Sequence, residues 1–175
     1  WPNNFAKSVK KLLPPPKIAA IQSVLKNKPL RILDVGCGNQ SCEITKSWLN
    51  VSTYHGVDRE HWHGHTEDYQ KMDQVFFLDL DTDNLDALSD NSYDAIIFSH
   101  VIEHLDNGEK VLRRLVQKLA PGGFIYVETP SLRTLKYPSA IGFLNFYDDP
   151  THKRPYPLAD LQRTLREADC SIIFA

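Results

Sequence analysis

The sequence predicts an α/β fold built on a doubly wound, mostly parallel sheet, and two features indicate it. Short apolar segments with strand character alternate with segments of helical periodicity over most of the chain. The first clear strand, Arg31 to Val35, runs into a glycine turn at 36–38, which brings bare backbone close to a ligand at the carboxyl edge of such a sheet. With 175 residues, 42% of them hydrophobic, the chain is expected to form one domain, 1–175.

Two amphipathic segments precede that strand. The apolar residues of the first lie on one face of a helix that ends at the prolines of 14–16: Phe5, Val9, Leu12 and Leu13. A second short helix is expected from Ile18 to Lys26. Residues 1–28 are therefore expected to form a helical flap that either covers the mouth of a ligand site or packs on the sheet.

The central part of the chain supplies the alternation of strands and helices. The expected elements after the first strand are, in order, helix 42–49, strand 53–57, a His-rich polar stretch 59–70, strand 75–78, an acidic loop, strand 95–99, helix 108–119, turn 121–123 and strand 124–127. Strands separated by helical segments of this length favour parallel pairing.

The C-terminal part begins with an irregular stretch, 130–157, that holds five prolines and five aromatic residues. Long ordered loops in compact domains are usually lids or binding loops, so this stretch is expected to form a lid on the substrate side. Its aromatic residues Phe143, Phe146 and Tyr147 are expected either to give the pocket an apolar wall or to anchor the loop to the core. A helix from Leu158 to Ala168 follows Pro157, a favoured residue at a helix start, and a sixth strand is expected at 171–174.

Composition limits the partners. The formal net charge is −2, from 20 basic and 22 acidic residues, and no block of either sign supplies a phosphate-binding stripe, so a small molecule is expected rather than nucleic acid. Three cysteines without paired metal or disulfide spacing favour a reducing compartment, and the cytoplasm is the expected location. No apolar run approaches the roughly 20 residues that span a bilayer.

The glycine turn indicates which ligand it suits. A dinucleotide fingerprint needs a third glycine where this chain has Ser41, which counts against a pyrophosphate and against a dehydrogenase that uses a nicotinamide cofactor. Asp34, just before the turn, would repel a phosphate but attract an ammonium or sulfonium group, directly or through water. Asp58 ends the next strand about twenty residues later, where an acid can accept hydrogen bonds from ribose hydroxyls.

Asp34 and the glycines resemble motif I of the class I S-adenosylmethionine-dependent methyltransferases, with Gln40 at the place of the family's third glycine. The run YDAIIFSHVIEHL at 93–105 resembles motif IV of the ubiquinone-biosynthesis and small-molecule members, and LAPGGFIYVETP at 119–130 resembles the turn and fifth strand that follow. The resemblance implies a Rossmann-like fold of seven strands, the last in a hairpin with the sixth. Since only six strands are visible, either the chain is truncated at this hairpin or the sheet closes differently.

The resemblance also implies an enzyme that transfers a methyl group from S-adenosyl-L-methionine to a small-molecule acceptor by direct displacement. Asp79 resembles the family's acid near the adenine amino group, with Leu80 beside the ring. The cofactor-binding residues expected together are Asp34, Gly36, Cys37, Gly38, Asp58, Arg59, Asp79, Leu80 and Ser99. His100 and His104 follow the fourth strand beside the expected sulfonium, and either is a candidate base near neutral pH. In the alternative, His100 packs on the cofactor and His104 caps a turn.

A metal site is the alternative for the histidines. His100, Glu103 and His104 have the spacing H-x-x-E-H, and His152 is a candidate fourth ligand; small-RNA 2′-O-methyltransferases carry a similar E-x-x-E-H with a later His that holds magnesium. Because His100 replaces the first Glu of that pattern, a zinc-like ion or no metal is favoured over magnesium, and we expect none.

Three further groups of residues could have more than one role. His61, His63 and His65 are expected in a solvated loop, with adventitious metal binding as the alternative. The acids at 79, 81 and 83 could form a calcium loop, but they lack the glycine and the distal glutamate of such a loop. Lys153 and Arg154 either pair with an anionic group of the acceptor or lie exposed. A non-catalytic, cofactor-binding module of the same fold stays the alternative to an enzyme.

Overall fold

The computed structural model describes residues 13–26, 28–38, 40–61, 66–139 and 145–174. Their centre is a parallel sheet of five strands in the order β3-β2-β1-β4-β5. The strands are β1 (Leu30–Val35), β2 (Val51–Asp58), β3 (Gln74–Phe77), β4 (Tyr93–Ser99) and β5 (Leu119–Glu128). The predicted doubly wound parallel sheet is thus confirmed, and its order reverses between β1 and β4, where such sheets form a ligand crevice.

Helices lie on both faces of the sheet. They are α1 (Pro16–Val24), α2 (Ser41–Trp48), α3 (Thr66–Tyr69), α4 (Gly108–Val116) and α5 (Leu158–Glu167). Short 3₁₀ helices cover Ile102–His104, Leu132–Lys136 and Phe146–Asp148. None of the helices in the described part of the chain is long and apolar enough to cross a membrane.

The core has two halves because side chains alternate along each strand. Ile32 of β1 and Ile97 of β4 pack on one side, with Ile18 and Ile21 of α1. On the other side, Leu33 and Ile96 pack with α4 and α5. Every residue of β1 except Arg31 is buried, as is every residue of β4 except Ser99, which explains why apolar residues outnumber polar ones in both strands instead of alternating with them.

Two predicted elements around the start of β5 differ from the structure. The predicted helix 108–119 ends at Val116, because the carbonyl of Lys118 accepts hydrogen bonds from the backbone of Ser92 (2.9 Å) and Tyr93 (3.0 Å), which draws the chain into β5. The predicted turn at 121–123 therefore lies inside β5, with Gly122 at φ 74° where the pairing with β4 is irregular.

The sixth strand predicted at 171–174 is wrong: these residues have no regular secondary structure. They are apolar enough for a strand, but a strand needs a hydrogen-bonding partner, and they lie across a groove of about 1260 Å³ from β5. Phe174 bridges part of that groove by packing on Phe124 of β5. The helix predicted at 5–13 lies outside the described residues except for Leu13, as do His63, His65 and Phe143.

Candidate active site

The glycine turn after β1 is held close to β2 and to the segment after β4. The amides of Gly36 and Cys37 both donate to the carbonyl of Val57, at 2.8 and 3.3 Å. Gly36 has φ 78°, and a Cβ atom there would lie 2.4 Å from Cγ2 of Val101, so the turn requires glycine at this position. Cys37 is buried, which leaves its backbone rather than its thiol at the turn.

Asp34 lies beneath this turn rather than on its surface. Its side chain is 1% exposed and accepts a hydrogen bond from the Tyr54 hydroxyl. Burial raises the pKa of Asp34, while the positive charge of Lys17 opposes that shift. Lys17, which sequence reasoning missed, also donates to the Ser41 hydroxyl at 2.8 Å, so α1 brings a cation to the start of α2.

Asp58 adjoins the turn from the end of β2. A Cβ atom on Gly38 would lie 3.7 Å from the Asp58 Oδ2 atom, so turn and carboxylate share one wall of the crevice. The other carboxylate oxygen accepts the Arg59 amide at 2.8 Å, and the Tyr69 hydroxyl lies 3.5 Å from Oδ2. The structure therefore brings Gly38 and Asp58 together, as an acid that binds a ribose would require.

Asp79 and Leu80 follow β3 at the same edge. Arg59 joins them to β2, since its Nε atom lies 3.4 Å from Asp79 Oδ2. The second Asp79 oxygen accepts the amide of Asp81 at 3.0 Å. Leu80 is 6% exposed and packs in the core, which fixes the loop that carries Asp79.

The ends of β4 and β5 carry a polar network around His100. The Ser99 hydroxyl donates to Glu128 at 2.7 Å. His100, at φ 55°, places Nδ1 3.3 Å from Glu103 and Nε2 3.7 Å from Glu128. These two carboxylates raise the pKa of His100 to about 10, and the nearby His100 lowers the pKa of Glu128 to about 2. His100 is thus a hydrogen-bond donor in this arrangement.

Sequence reasoning missed Glu128, although a signal was present. It directly follows the predicted strand 124–127, and an acid at the carboxyl end of a parallel strand faces the same edge as Asp58. Glu128 pairs in register with Ser99, so the ends of β4 and β5 meet there.

His104, Glu103 and His152 form a second cluster beside this network. One ligand atom from each lies within 4.8 Å of the others, and Glu103 is fully buried. The His104 Nδ1 atom faces the carbonyl of Thr151 at 3.2 Å, and the His152 Nδ1 atom faces that of Phe146 at 2.6 Å. His100, the first histidine of the H-x-x-E-H run, is not a member of this cluster.

The remaining candidate residues have partners inside the protein. Lys153 pairs with Asp81 and Asp106, at 2.9 and 2.7 Å, and Arg154 pairs with Glu109. His61 packs by its ring against Tyr69 and Phe77, with ring centroids 5.1 and 5.7 Å apart. Phe146, expected to line a pocket wall, is buried, whereas Tyr147 is 63% exposed.

The sequence of the chain is similar to those of known methyltransferases. A sequence model of the family described as "Methyltransferase domain" matches residues 5–174. The chain is 29% identical over 124 residues to a mitochondrial ubiquinone biosynthesis O-methyltransferase of Dictyostelium discoideum, covering 64% of this chain and 39% of that protein. It is 30% identical over 129 residues to the rat counterpart, with 66% and 36% covered. The chain thus spans about two fifths of the length of these curated relatives.

Solved structures have the same fold. A SAM-dependent methyltransferase from Archaeoglobus fulgidus superimposes with a TM-score of 0.65 at 25% identity, covering 94% of this chain and 74% of that one. The plantazolicin methyltransferase BpumL, solved in complex with S-adenosylhomocysteine, gives a TM-score of 0.62 at 21% identity, with 86% and 59% covered.

Proposed function

Because this chain belongs to the methyltransferase-domain family, we propose that it transfers a methyl group from S-adenosyl-L-methionine to a small-molecule acceptor. The observation that carries the proposal is the alignment, along one sheet edge, of Asp79, Asp58 and the glycine turn with Ser99 and Glu128. The sheet order places them in that sequence across the crevice. A cofactor with adenine, ribose, sulfonium and amino-acid parts in a row fits such an edge.

The cofactor would lie along this edge in a defined direction. Its adenine would lie at Asp79 and Leu80, and its ribose hydroxyls would donate to Asp58. Arg59 would hold the two acids in place, and the turn from Gly36 through Cys37 to Gly38 would pass under the sulfonium. Buried Asp34 would act through its charge on the cofactor's ammonium group. Lys17 would pair with the carboxylate of the cofactor's amino-acid part.

Methyl transfer itself requires little from the protein beyond alignment of the acceptor behind the sulfonium and exclusion of water. Ser99 and His100 would line the methyl end of the site. Of the two candidate bases, His104 is the better placed: if its Nδ1–H donates to Thr151, Nε2 keeps a lone pair that can take a proton. The relatives are named O-methyltransferases, so we propose a hydroxyl oxygen as the acceptor atom.

We further propose a cytoplasmic location. The three cysteines are all free, with Cys37 and Cys42 buried, which suits a reducing compartment.

Calorimetry with S-adenosylhomocysteine tests the cofactor assignment. The parent protein is expected to bind it, and Asp58→Ala is expected to bind about ten- to a hundredfold more weakly, because two hydrogen bonds to a carboxylate are lost. Asp86→Ala, which removes an exposed acid of the loop between β3 and β4, is the matched control and should bind like the parent. Absence of binding to the parent, or equal binding by Asp58→Ala, contradicts the assignment, whereas NADH binding would favour a dehydrogenase. Binding without turnover on any acceptor would favour the non-catalytic module.

Metal-assisted transfer is a second candidate, favoured by the cluster of Glu103, His104 and His152. If both histidines donate Nδ1–H to backbone carbonyls, their Nε2 lone pairs are available, as in many metal sites. Two imidazoles and one carboxylate suit zinc better than magnesium. A bound cation would lower the pKa of an acceptor hydroxyl and orient it.

Titration of the metal-free protein with zinc tests this candidate. The parent is expected to bind one equivalent, and His152→Ala is expected to bind at least tenfold more weakly. His55→Ala serves as the control, since His55 lies within β2 beside Tyr93. Equal zinc binding by the parent and His152→Ala excludes the cluster as the site.

A further inference from the structure

Residues 151–156, here called the strap, pack across the segment between β4 and α4. The Lys153 amide donates to the Glu103 carbonyl at 2.8 Å. The Tyr156 hydroxyl donates to the Leu105 carbonyl at 3.0 Å. The strap carries His152, which lies on the acceptor side of the proposed site. The position of the strap therefore decides where His152 lies relative to the end of β4.

The Lys153 side chain ties the strap to a second loop. Its ammonium lies 2.9 Å from Asp81 Oδ2 and 2.7 Å from Asp106 Oδ2. Asp81 is the better shielded of the two acids, with its side chain 14% exposed against 72% for Asp106. Asp81 Oδ1 also accepts the amide of Asp106 at 3.0 Å, so one carboxylate joins the loop after β3, the start of α4 and the strap.

Asp81 belongs to the loop that would receive the adenine. Its amide donates to Asp79 Oδ1 at 3.0 Å, and Leu80 between them is anchored in the core. Arg59 holds the other Asp79 oxygen. A ligand that restrains Asp79 therefore restrains Asp81 as well, and through Asp81 the ammonium of Lys153.

We propose that Lys153 is a positioning residue that couples occupancy of the adenine end to the placement of the strap on the acceptor side. The proposal rests on the proposed function, since it needs a ligand at Asp79. It gives Lys153 a role other than recognition of an acceptor anion, because its ammonium already faces two carboxylates. Coupling of this kind is reciprocal: a ligand at the adenine end steadies the strap, and the attached strap strengthens binding of that ligand.

The effect of the Lys153 ion pair on ligand binding is expected to be small, because the pair is partly exposed to solvent. The Lys153 side chain is 39% exposed, so solvent screens much of its attraction to the acids. Loss of the ion pair is therefore expected to weaken binding of S-adenosylhomocysteine only about two- to fivefold.

Hydrogen exchange followed by mass spectrometry, with and without S-adenosylhomocysteine, tests the coupling on the full chain. The strap of the parent, including the Lys153 amide, is expected to exchange more slowly when S-adenosylhomocysteine is bound, which is a gain in protection. Lys153→Met should lose that gain in protection and should bind S-adenosylhomocysteine two- to fivefold more weakly by calorimetry. Lys110→Met, an exposed lysine on α4, is the matched control and should retain both properties.

The outcomes separate the coupling from the function. If the parent binds S-adenosylhomocysteine but exchange in the strap is unchanged, or if Lys153→Met keeps the full gain, the coupling is overturned and the function stands. Absence of binding overturns both. Asp81→Asn removes the charge that faces Lys153 but keeps an oxygen that can accept the Asp106 amide, and it provides a second variant in case Lys153→Met folds poorly. It should reduce the protection that S-adenosylhomocysteine gives the strap, and undiminished protection in Asp81→Asn together with loss of folding in Lys153→Met overturns the coupling too.

Discussion

Gly36 and Gly122 both have positive φ, but only Gly36 has a close neighbour. Substitution of each by alanine can therefore distinguish the destabilisation caused by backbone strain from that caused by a steric clash. Gly36 and Gly122 have φ 78° and 74°, but an added Cβ atom meets Val101 at 2.4 Å in the first case and nothing within 4 Å in the second. A left-handed alanine costs about 1–2 kcal/mol, and overpacking adds about 1–3 kcal/mol.

We therefore expect Gly36→Ala to lower the free energy of unfolding by about 2–5 kcal/mol and Gly122→Ala by about 1–2 kcal/mol. Urea unfolding of the two variants measures the difference. Similar losses in both would mean that the contact with Val101 relaxes at little cost, and that the turn does not need its glycine for close approach.

Asp94 gives a residue-scale prediction for pH. Burial by itself raises its pKa, but hydrogen bonds from the side chain and amide of Arg31 and from Lys28 outweigh burial and hold the pKa well below its usual value. A carboxyl whose folded pKa is depressed stabilises the fold above its unfolded pKa of about 4, and this contribution is lost as the pH falls further.

At pH 7 we expect Asp94→Asn to lower the free energy of unfolding by about 1–2 kcal/mol, a value reduced for the exposure of both cations. Unfolding measured from pH 7 down to pH 3 should show the gap between parent and variant narrowing below about pH 4. A gap that stays constant with pH would show that Asp94 stabilises the fold by packing rather than by charge.

At the scale of elements, Tyr156 fastens the start of α4. Its buried hydroxyl accepts the amide of Gly108 at 2.8 Å and donates to the carbonyl of Leu105 at 3.0 Å. Tyr156→Phe leaves both backbone groups unpaired in a buried place and is expected to cost about 1–3 kcal/mol in denaturant unfolding. Tyr147→Phe, at a tyrosine that is 63% exposed, is the control and should cost less than about 0.5 kcal/mol. Equal losses would count against the two hydrogen bonds.

Elements with local signals could be predicted from the sequence, and elements that depend on a partner could not. The five strands have apolar runs bounded by polar or turn residues, and all five were predicted within a few residues, apart from the early start of β5. Residues 171–174 have the same local character, yet none of the strands that the structure describes pairs with them. The end of helix 108–119 was predicted wrongly because it depends on hydrogen bonds from the amides of Ser92 and Tyr93 to the carbonyl of Lys118, which join segments far apart in the sequence.

The same distinction applies to the candidate site. Gly36, Gly38 and Asp58 stand in a motif with fixed spacing, and the structure brings the turn and the acid together. Lys17 has no such signal, because its relation to Ser41 arises only when α1 packs on the rest of the sheet. Glu128 has only its place after a predicted strand, and its approach to His100 arises when β5 pairs with β4.

At the scale of the whole molecule, one edge of the sheet carries the site and two apolar layers hold that edge rigid. Side chains of β1 and β4 fill both layers, so the strands that flank the crevice are the most buried in the described part of the chain. A rigid edge binds a ligand with little loss of conformational entropy, which strengthens binding, and a ligand that binds only the folded state adds to its stability.

This argument predicts the thermal response to the cofactor product. At S-adenosylhomocysteine concentrations about a hundredfold above the dissociation constant, binding to the folded state adds about 2.7 kcal/mol. For a chain of this size that corresponds to a rise in Tm of about 5–10 °C. Differential scanning fluorimetry should show this rise for the parent, half of it or less for Asp58→Ala at the same concentration, and none with NADH. A rise with NADH that Asp58→Ala also loses would place a dinucleotide on this edge despite Ser41, and would replace methyl transfer by hydride transfer as the chemistry of the site.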